Sequence, residues 1–163
     1  METGLLILIV LFAIIAVGLF LSFVPLRLLM AARAQGVRIK MSALAGMRLR
    51  RTNQAYMVMQ LIKAHKAGVD VTTQMLECQH LLGGNPGRVL DSVIIAKAAD
   101  IPLEWKRAAA IDISGGDPAE FINGLVQSNR PYTVQEVEKA AVEYVESLDK
   151  DMIKAKMMSK GLR

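Results

Sequence analysis

One long sequence pattern occurs three times in this chain, in copies that begin at Ala34, Lys66 and Ala98. Apolar pairs recur at the same spacing inside the copies: Met57-Val58, Val89-Leu90 and Phe121-Ile122. A period of roughly 20–50 residues is typical of stacked supersecondary units, none of which buries its apolar face alone. The repeat therefore predicts a helical array, and a chain built this way is expected to work by assembly before catalysis.

The second and third copies show where their helices begin. Asn85-Pro86 and Asp117-Pro118 each place a capping side chain before a proline, which is well tolerated at the first position of a helix. We predict helices over residues 53–67, 73–82, 86–99, 103–113, 118–127 and 134–160. The predicted fold class is all-α: one N-terminal transmembrane helix, three helical-hairpin repeats of about 32 residues and a long C-terminal helix.

An uncharged apolar run precedes the repeats. Residues 4–24 form 21 positions without a charge, which would be roughly 31 Å long as a helix and would match a hydrocarbon core of about 30 Å. We predict an uncleaved, single-pass anchor in the cell membrane. Because positive charge follows the run directly, the C-terminal domain is expected in the cytoplasm. A re-entrant hairpin bent at Pro25 is the alternative.

Positive charge is concentrated in the first half of the chain. From Thr3 to Val69 there are nine Lys or Arg residues and no acidic residue, whereas from Asp70 onward there are 14 acidic and 11 basic residues. Bases held beside a negatively charged leaflet favour lipid, or a neighbouring subunit, over nucleic acid as their partner. The residues predicted to contact anionic lipid headgroups are Arg27, Arg33, Arg38, Lys40, Arg48, Arg50 and Arg51.

These features predict four parts of the chain. Residues 1–25 would be the transmembrane anchor and residues 26–51 a basic juxtamembrane segment that lies along the interface. Residues 52–130 would be the helical-repeat domain, and residues 131–163 an amphipathic C-terminal helix. With about 135 residues beyond the anchor, the chain is long enough for one compact domain.

No pattern in the sequence indicates catalysis, a cofactor or a metal. Cys78 and His80 stand two positions apart on a predicted helix, so their side chains would point apart, and His65 lacks the neighbours that would complete a ligand set. The segment Gly83-Gly84-Asn85-Pro86 lacks the spacing of a phosphate loop, and its repetition as Gly115-Gly116-Asp117-Pro118 indicates a structural turn. We therefore predict that the chain is not an enzyme.

Several local sequences resemble the N-terminal part of the bacterial flotillin-like FloA family. They are Gly46-Met47-Arg48-Leu49-Arg50-Arg51, Leu61-Ile62-Lys63-Ala64-His65-Lys66-Ala67-Gly68, Leu82-Gly83-Gly84-Asn85, Arg88-Val89 and Ala109-Ala110-Ile111-Asp112. The resemblance extends from the start of the chain to about Arg130. Members of this family continue into a β-rich SPFH (band 7) domain and a long coiled coil, whereas this chain ends in one helix. The resemblance implies membrane association, homo-oligomerisation and organisation of membrane microdomains.

Two functions are therefore expected from the sequence. The first is a non-enzymatic, membrane-anchored scaffold that forms homo-oligomers and organises membrane microdomains or membrane protein assemblies. The alternative is an accessory subunit that docks a membrane protein partner within a larger complex. Both functions involve anionic lipid, and neither involves nucleic acid or a cofactor.

Overall fold

A computed structural model describes residues 2–23, 26–128 and 130–159. Within these ranges the chain is helical and contains no strand, so the all-α prediction is confirmed for the described residues. The helices are α1 Glu2–Phe23, α2 Leu26–Ala34, α3 Met41–Leu49, α4 Gln54–Lys66, α5 Thr73–Leu81, α6 Pro86–Ala98, α7 Trp105–Ile113, α8 Pro118–Gln127 and α9 Val134–Ser159.

The predicted transmembrane helix is not borne out. No helix within the described ranges is both long enough and apolar enough to cross a membrane. The prediction of a single-pass span over residues 4–24 is therefore wrong, and Val24 and Pro25 lie outside the described residues.

The chain divides into two compact units, Met1–Ile62 and Lys63–Arg163. The first unit contains α1, α2, α3 and most of α4. Its buried apolar residues come from α2, from the segment between α2 and α3, and from α3 and α4: Leu29, Ala32, Val37, Ile39, Leu44, Met47, Met57, Val58 and Leu61.

The second unit contains the helices α5 to α9. Helix α6 packs against α5, α7 and α8, while α7 also packs against α8 and α9. A single apolar cluster joins the last four of these helices, and its fully buried members include Val89, Ala108, Ile122 and Val137. The start of α9 thus belongs to the core of this unit.

The repeat period is visible in the backbone. A left-handed residue with φ between 54° and 79° precedes the first helix of each copy, and a second one with φ between 58° and 86° separates the two helices. The first set is Gly36, Gly68 and Asp100, and the second set is Arg51, Gly83 and Gly115. This conformation disfavours most side chains, which explains why glycine occupies four of the six positions.

Backbone hydrogen bonds at the helix ends repeat at the same spacing. After α2, α4 and α6 the N–H groups of Val37, Val69 and Ile101 donate to carbonyls five residues earlier, each at 2.9 Å. After α3, α5 and α7 the N–H groups of Thr52, Gly84 and Gly116 do the same, at 2.9–3.0 Å. These bonds satisfy carbonyls that a helix end leaves open, and a left-handed residue is needed to form them.

Helix starts follow the capping residues in the sequence. The side chain of Asn85 accepts hydrogen bonds from the N–H groups of Gly87 and Arg88 at 3.1 and 3.3 Å, and Asp117 accepts one from Ala119 at 2.9 Å. Thr133 and Glu136 form a reciprocal capping box at the start of α9.

Helix α9 contacts the third copy much as α7 contacts the second. Asp112 on α7 pairs with Arg88 and lies against Gly84. Tyr144, one repeat period later in the chain, donates to Glu120 at 3.3 Å and lies against Gly116. The two sets of partners are themselves one repeat period apart. Helix α9 therefore covers the open side of the third copy, as a terminal repeat does in a solenoid.

Candidate functional site

The predicted lipid-contact residues lie in the first unit, and the structure exposes all whose side chains it describes. These exposed residues are Arg33, Arg38, Lys40, Arg48, Arg50 and Arg51. Arg27 belongs to α2, but its side chain lies outside the described residues. We call the six exposed residues, without Arg27, the basic surface. All six side chains reach solvent, while contact with lipid stays a prediction.

Residues 37–40, the last four before α3, alternate between the core and the surface. Val37 and Ile39 are each only 6% exposed, whereas Arg38 and Lys40 are exposed. The backbone at Lys40 is extended, with φ −75° and ψ 136°, and in extended chain successive side chains point to opposite sides. Core packing of the two apolar residues therefore holds the two bases on the outside.

Lys40 occupies an unusual position for a base. It is the N-cap of α3, no side chain caps this helix end, and the first turn contains no acidic residue. The N-terminus of a helix carries partial positive charge, and it is ordinarily stabilised by anions rather than by lysine. A concentration of positive charge thus lies at this end of α3, next to Arg38.

The end of α3 carries the other half of the basic surface. The Nε–H of Arg50 donates to the carbonyl oxygen of Gly46 at 3.4 Å, so this side chain folds back along its own helix. Arg51 follows in the left-handed conformation, with φ 58°. Leu49, just before them, is 75% exposed. Bases and an exposed leucine therefore share this helix end, a combination that suits the boundary of a bilayer.

Helix α1 adds an apolar surface to the same unit. Its described large side chains are between 53% and 72% exposed, and they are Leu6, Ile7, Leu8, Ile9, Val10, Leu11, Phe12, Ile14 and Ile15. Exposed contiguous apolar surface of this kind marks contact with lipid or with another protein.

The residues considered for metal binding or catalysis are not brought together. Within the described ranges no group of three or more His, Cys, Asp or Glu side chains could hold a metal ion. Cys78 is exposed and has no disulfide partner, and His80 on the same helix is exposed as well. The segment 83–86 is a helix-capping turn in which Asn85 caps α6.

The second unit contains a buried polar cluster that the sequence does not predict. The side chain of Asp112 is fully buried and accepts hydrogen bonds from the amide of Gln79 at 2.7 Å and the N–H of Asn85 at 2.6 Å. The guanidinium of Arg88 donates to its other oxygen through Nε at 2.9 Å. Because each partner belongs to a different part of the second copy, the carboxylate joins that copy to α7.

The profile of the family described as "Flotillin-like protein FloA" matches residues 6–160. The chain belongs to this family. The predicted resemblance to this family is therefore confirmed. The match extends past Arg130, where the resemblance predicted from the sequence ended.

Individual flotillin-like relatives agree with the profile. Proteins described as "Flotillin-like protein FloA" from Staphylococcus aureus strains JH9 and N315 are each 48% identical over 109 residues, which cover 67% of this chain and 33% of theirs. The protein from strain Newman is 47% identical over the same length. The chain thus spans about a third of the length of these curated relatives. No solved structure matches the flotillin-like chain significantly.

Proposed function

We propose that this flotillin-like chain is a non-enzymatic, membrane-associated scaffold. Its basic surface rests on the anionic lipid of the cytoplasmic leaflet, and its helical repeats associate with further copies to organise membrane microdomains or membrane protein assemblies. The observation that carries the proposal is the exposure of Arg33, Arg38, Lys40, Arg48, Arg50 and Arg51 in a segment with no acidic residue in its sequence.

Electrostatics gives this surface enough free energy to hold a protein at a membrane. A base near a negatively charged leaflet contributes about 1 kcal/mol, so the six exposed bases together contribute several kcal/mol. The exposed Leu49 and the apolar side chains of α1 add a hydrophobic contribution. Two signals of this kind are what stable attachment to a membrane requires.

Sedimentation with vesicles tests the lipid part of the proposal. The full chain is expected to bind phosphatidylcholine vesicles that contain phosphatidylserine more tightly than vesicles of phosphatidylcholine alone. Replacement of Lys40, Arg48 and Arg51 by glutamine removes about 3 kcal/mol and should weaken binding roughly a hundredfold. The matched control replaces Lys106, Lys139 and Lys154, which are exposed in the second unit.

Two outcomes would contradict the lipid part. If the chain bound both kinds of vesicle equally, anionic headgroups would not be its partner. If the control variant lost as much affinity as the basic-surface variant, only the net charge would matter and the exposed segment would have no special role.

Mass photometry of the detergent-extracted chain tests the association part. We expect particles that contain several copies, whose proportion rises with protein concentration. A strictly monomeric particle at every concentration would contradict the scaffold.

The alternative is an accessory subunit that docks a membrane protein partner. The observation that favours it is an apolar groove of about 210 Å³ between α7 and α9, whose lining includes Ile111, Ala141, Val142 and Val145. Purification in mild detergent separates the two functions. A fixed ratio to one foreign protein would support the accessory subunit, and particles of this chain alone would support the scaffold.

A further inference from the structure

A cavity of about 580 Å³ lies at the turn between α2 and α3. Its lining consists of Arg33, Gly36, Val37, Arg38 and Ile39. Gly36 has φ 79°, and the N–H of Val37 closes the end of α2 by donating to the carbonyl of Ala32 at 2.9 Å. This turn sets Arg33, in the last turn of α2, and Arg38, on the extended segment, on one concave surface.

Arg33 and Arg38 bring two positive charges to this cavity. Among the side chains that the structure describes, no carboxylate forms an ion pair with Arg33 or Arg38. The nearest acidic residues in the sequence are Glu2 and Asp70. Lys40 adds a further exposed positive charge at the N-terminus of α3. Two guanidinium groups on one concave surface therefore favour an anionic ligand.

The same cavity also has an apolar part. Val37 and Ile39, each 6% exposed, line it together with the two arginines, so part of its wall is hydrocarbon. Guanidinium groups bind phosphate oxygens in pairs through parallel N–H donors, which an ammonium group does not do. The arrangement suits a ligand that has a phosphate group at one end and hydrocarbon next to it.

We infer that this cavity is a binding site for a single phosphate group carried by an apolar tail, the headgroup of an anionic phospholipid. The inference rests on the proposed function, because it assigns one headgroup to a defined position within the basic surface. The inference goes further than that function, because a defined site must bind lipid saturably, with one lipid per chain. A diffuse charged surface would bind no fixed number of lipids.

Short-chain lipids test the inference apart from membrane binding. The probes are dioctanoyl phosphatidic acid, dioctanoyl phosphatidylcholine and inorganic phosphate, each titrated below its critical micelle concentration into the full chain by isothermal calorimetry. We expect saturable binding of one phosphatidic acid per chain, and weaker binding of the other two. Inorganic phosphate binding as tightly as phosphatidic acid would overturn the assignment to a lipid.

Two variants of equal charge show whether the cavity is the site. The first replaces Arg33 and Arg38 by glutamine, and the second replaces Lys106 and Lys154 by glutamine, which are exposed in the second unit and do not line the cavity. Loss of each cavity arginine should weaken phosphatidic acid binding about tenfold, as expected for a charge-assisted hydrogen bond. The second variant should bind within about twofold of the unaltered chain, since its cavity is unchanged. Equal weakening in both variants would overturn the inference.

A conservative change distinguishes geometry from charge. Arg38→Lys keeps the positive charge but removes the paired donors, so phosphatidic acid binding should still fall severalfold. Unchanged affinity in Arg38→Lys would overturn a guanidinium-specific site. Circular dichroism of each variant shows whether it has folded, and Arg38→Lys serves as the second test if the double variant fails to fold.

Vesicle sedimentation separates failure of the inference from failure of the proposed function. If the unaltered chain binds anionic vesicles but does not bind soluble phosphatidic acid saturably, the cavity site is wrong and the lipid-bound scaffold stands. If it binds neither, both are wrong.

Discussion

The guanidinium of Arg88 on α6 pairs with the buried carboxylate of Asp112 on α7, with Nη2 and Oδ1 2.6 Å apart. The two sides of this pair differ in exposure: the Asp112 side chain is fully buried, whereas that of Arg88 is 44% exposed. Removing one partner therefore has different consequences from removing the other. A lone Arg88 can reach water, but a lone Asp112 would be a buried charge without a cation.

Arg88→Met is accordingly expected to cost more stability than Asp112→Asn. The first change should lower the free energy of unfolding by about 3–5 kcal/mol, because the carboxylate stays buried. The second should cost about 1–3 kcal/mol, because Asn keeps an acceptor for Gln79 or Asn85. Urea unfolding followed by circular dichroism measures both. Arg107→Met is the control, since Arg107 pairs with Glu138 at the surface and should cost less than about 1 kcal/mol.

Gly84→Ala should disrupt the same cluster without changing any charge. A Cβ atom at this position would lie 2.6 Å from Oδ2 of Asp112 and would clash with the amide of Gln79. We expect a loss of about 2–3 kcal/mol in the free energy of unfolding, as in other overpacked sites. A double-mutant cycle with Gln79→Ala checks the cause, since the smaller side chain should recover part of the loss. Strictly additive losses would contradict the clash.

Replacement of Asp100 by glycine should stabilise the chain. Asp100 has φ 54° at the position where the first two copies have Gly36 and Gly68. Glycine adopts this conformation without the steric cost of about 1 kcal/mol, so the free energy of unfolding should rise by about 0.5–1 kcal/mol. Asp70→Gly is the control, because Asp70 is exposed and has no left-handed backbone to relieve. An equal gain in both variants would argue against the backbone explanation.

Protonation of Glu136 at low pH should destabilise the start of α9. The N–H and hydroxyl of Thr133 donate to its carboxylate at 2.8 and 2.9 Å and lower its pKa, with a smaller effect from Arg130. Because the folded pKa lies below the unfolded one, this stabilisation is present above the unfolded pKa and is lost as pH falls through the folded pKa. Carboxyl NMR titration measures the shift. Thr133→Val removes the hydroxyl donor but keeps the N–H, so it should raise the pKa of Glu136 part of the way to its ordinary value, whereas Arg130→Gln should change it less.

Tyr144 should hold α9 mainly through its ring. Its ring centroid lies 5.4 Å from that of Phe121, and its hydroxyl donates to Glu120 at 3.3 Å. Tyr144→Phe keeps the ring and should cost about 0.5–1 kcal/mol, whereas Tyr144→Ala should cost about 2–3 kcal/mol. Hydrogen exchange of the α9 amides measures the effect locally. Similar exchange in both variants would show that the hydroxyl, not the ring, holds the helix.

Much of the helical pattern can be predicted because its signals are local. The predicted helix 118–127 has the observed bounds, since Asp117 caps it and Pro118 begins it. Helix α3 is not predicted, because its N-cap is Lys40 and the sequence there contains no starting signal. The single-pass span is predicted from length and absence of charge alone, and the described residues do not support it.

The candidate sites could be predicted only where the signal was local. That the bases are exposed follows from their charge, and the structure places six of them at the surface. The buried cluster could not be predicted, since Asp112 is stabilised by residues 24 and 33 positions earlier and hydropathy assigns a carboxylate to the surface. The cavity at Arg33 and Arg38 likewise depends on a turn in three dimensions.

The alternation of residues 37–40 ties two properties of the chain to one short segment. Since Val37 and Ile39 fill the interior while Arg38 and Lys40 face outward, deleting a single residue here would exchange the two sets. Hydrocarbon would then meet solvent and cations would be forced inside, so the fold and the charge of the surface would fail together. A single substitution in this segment should therefore be tolerated better than a change in its length.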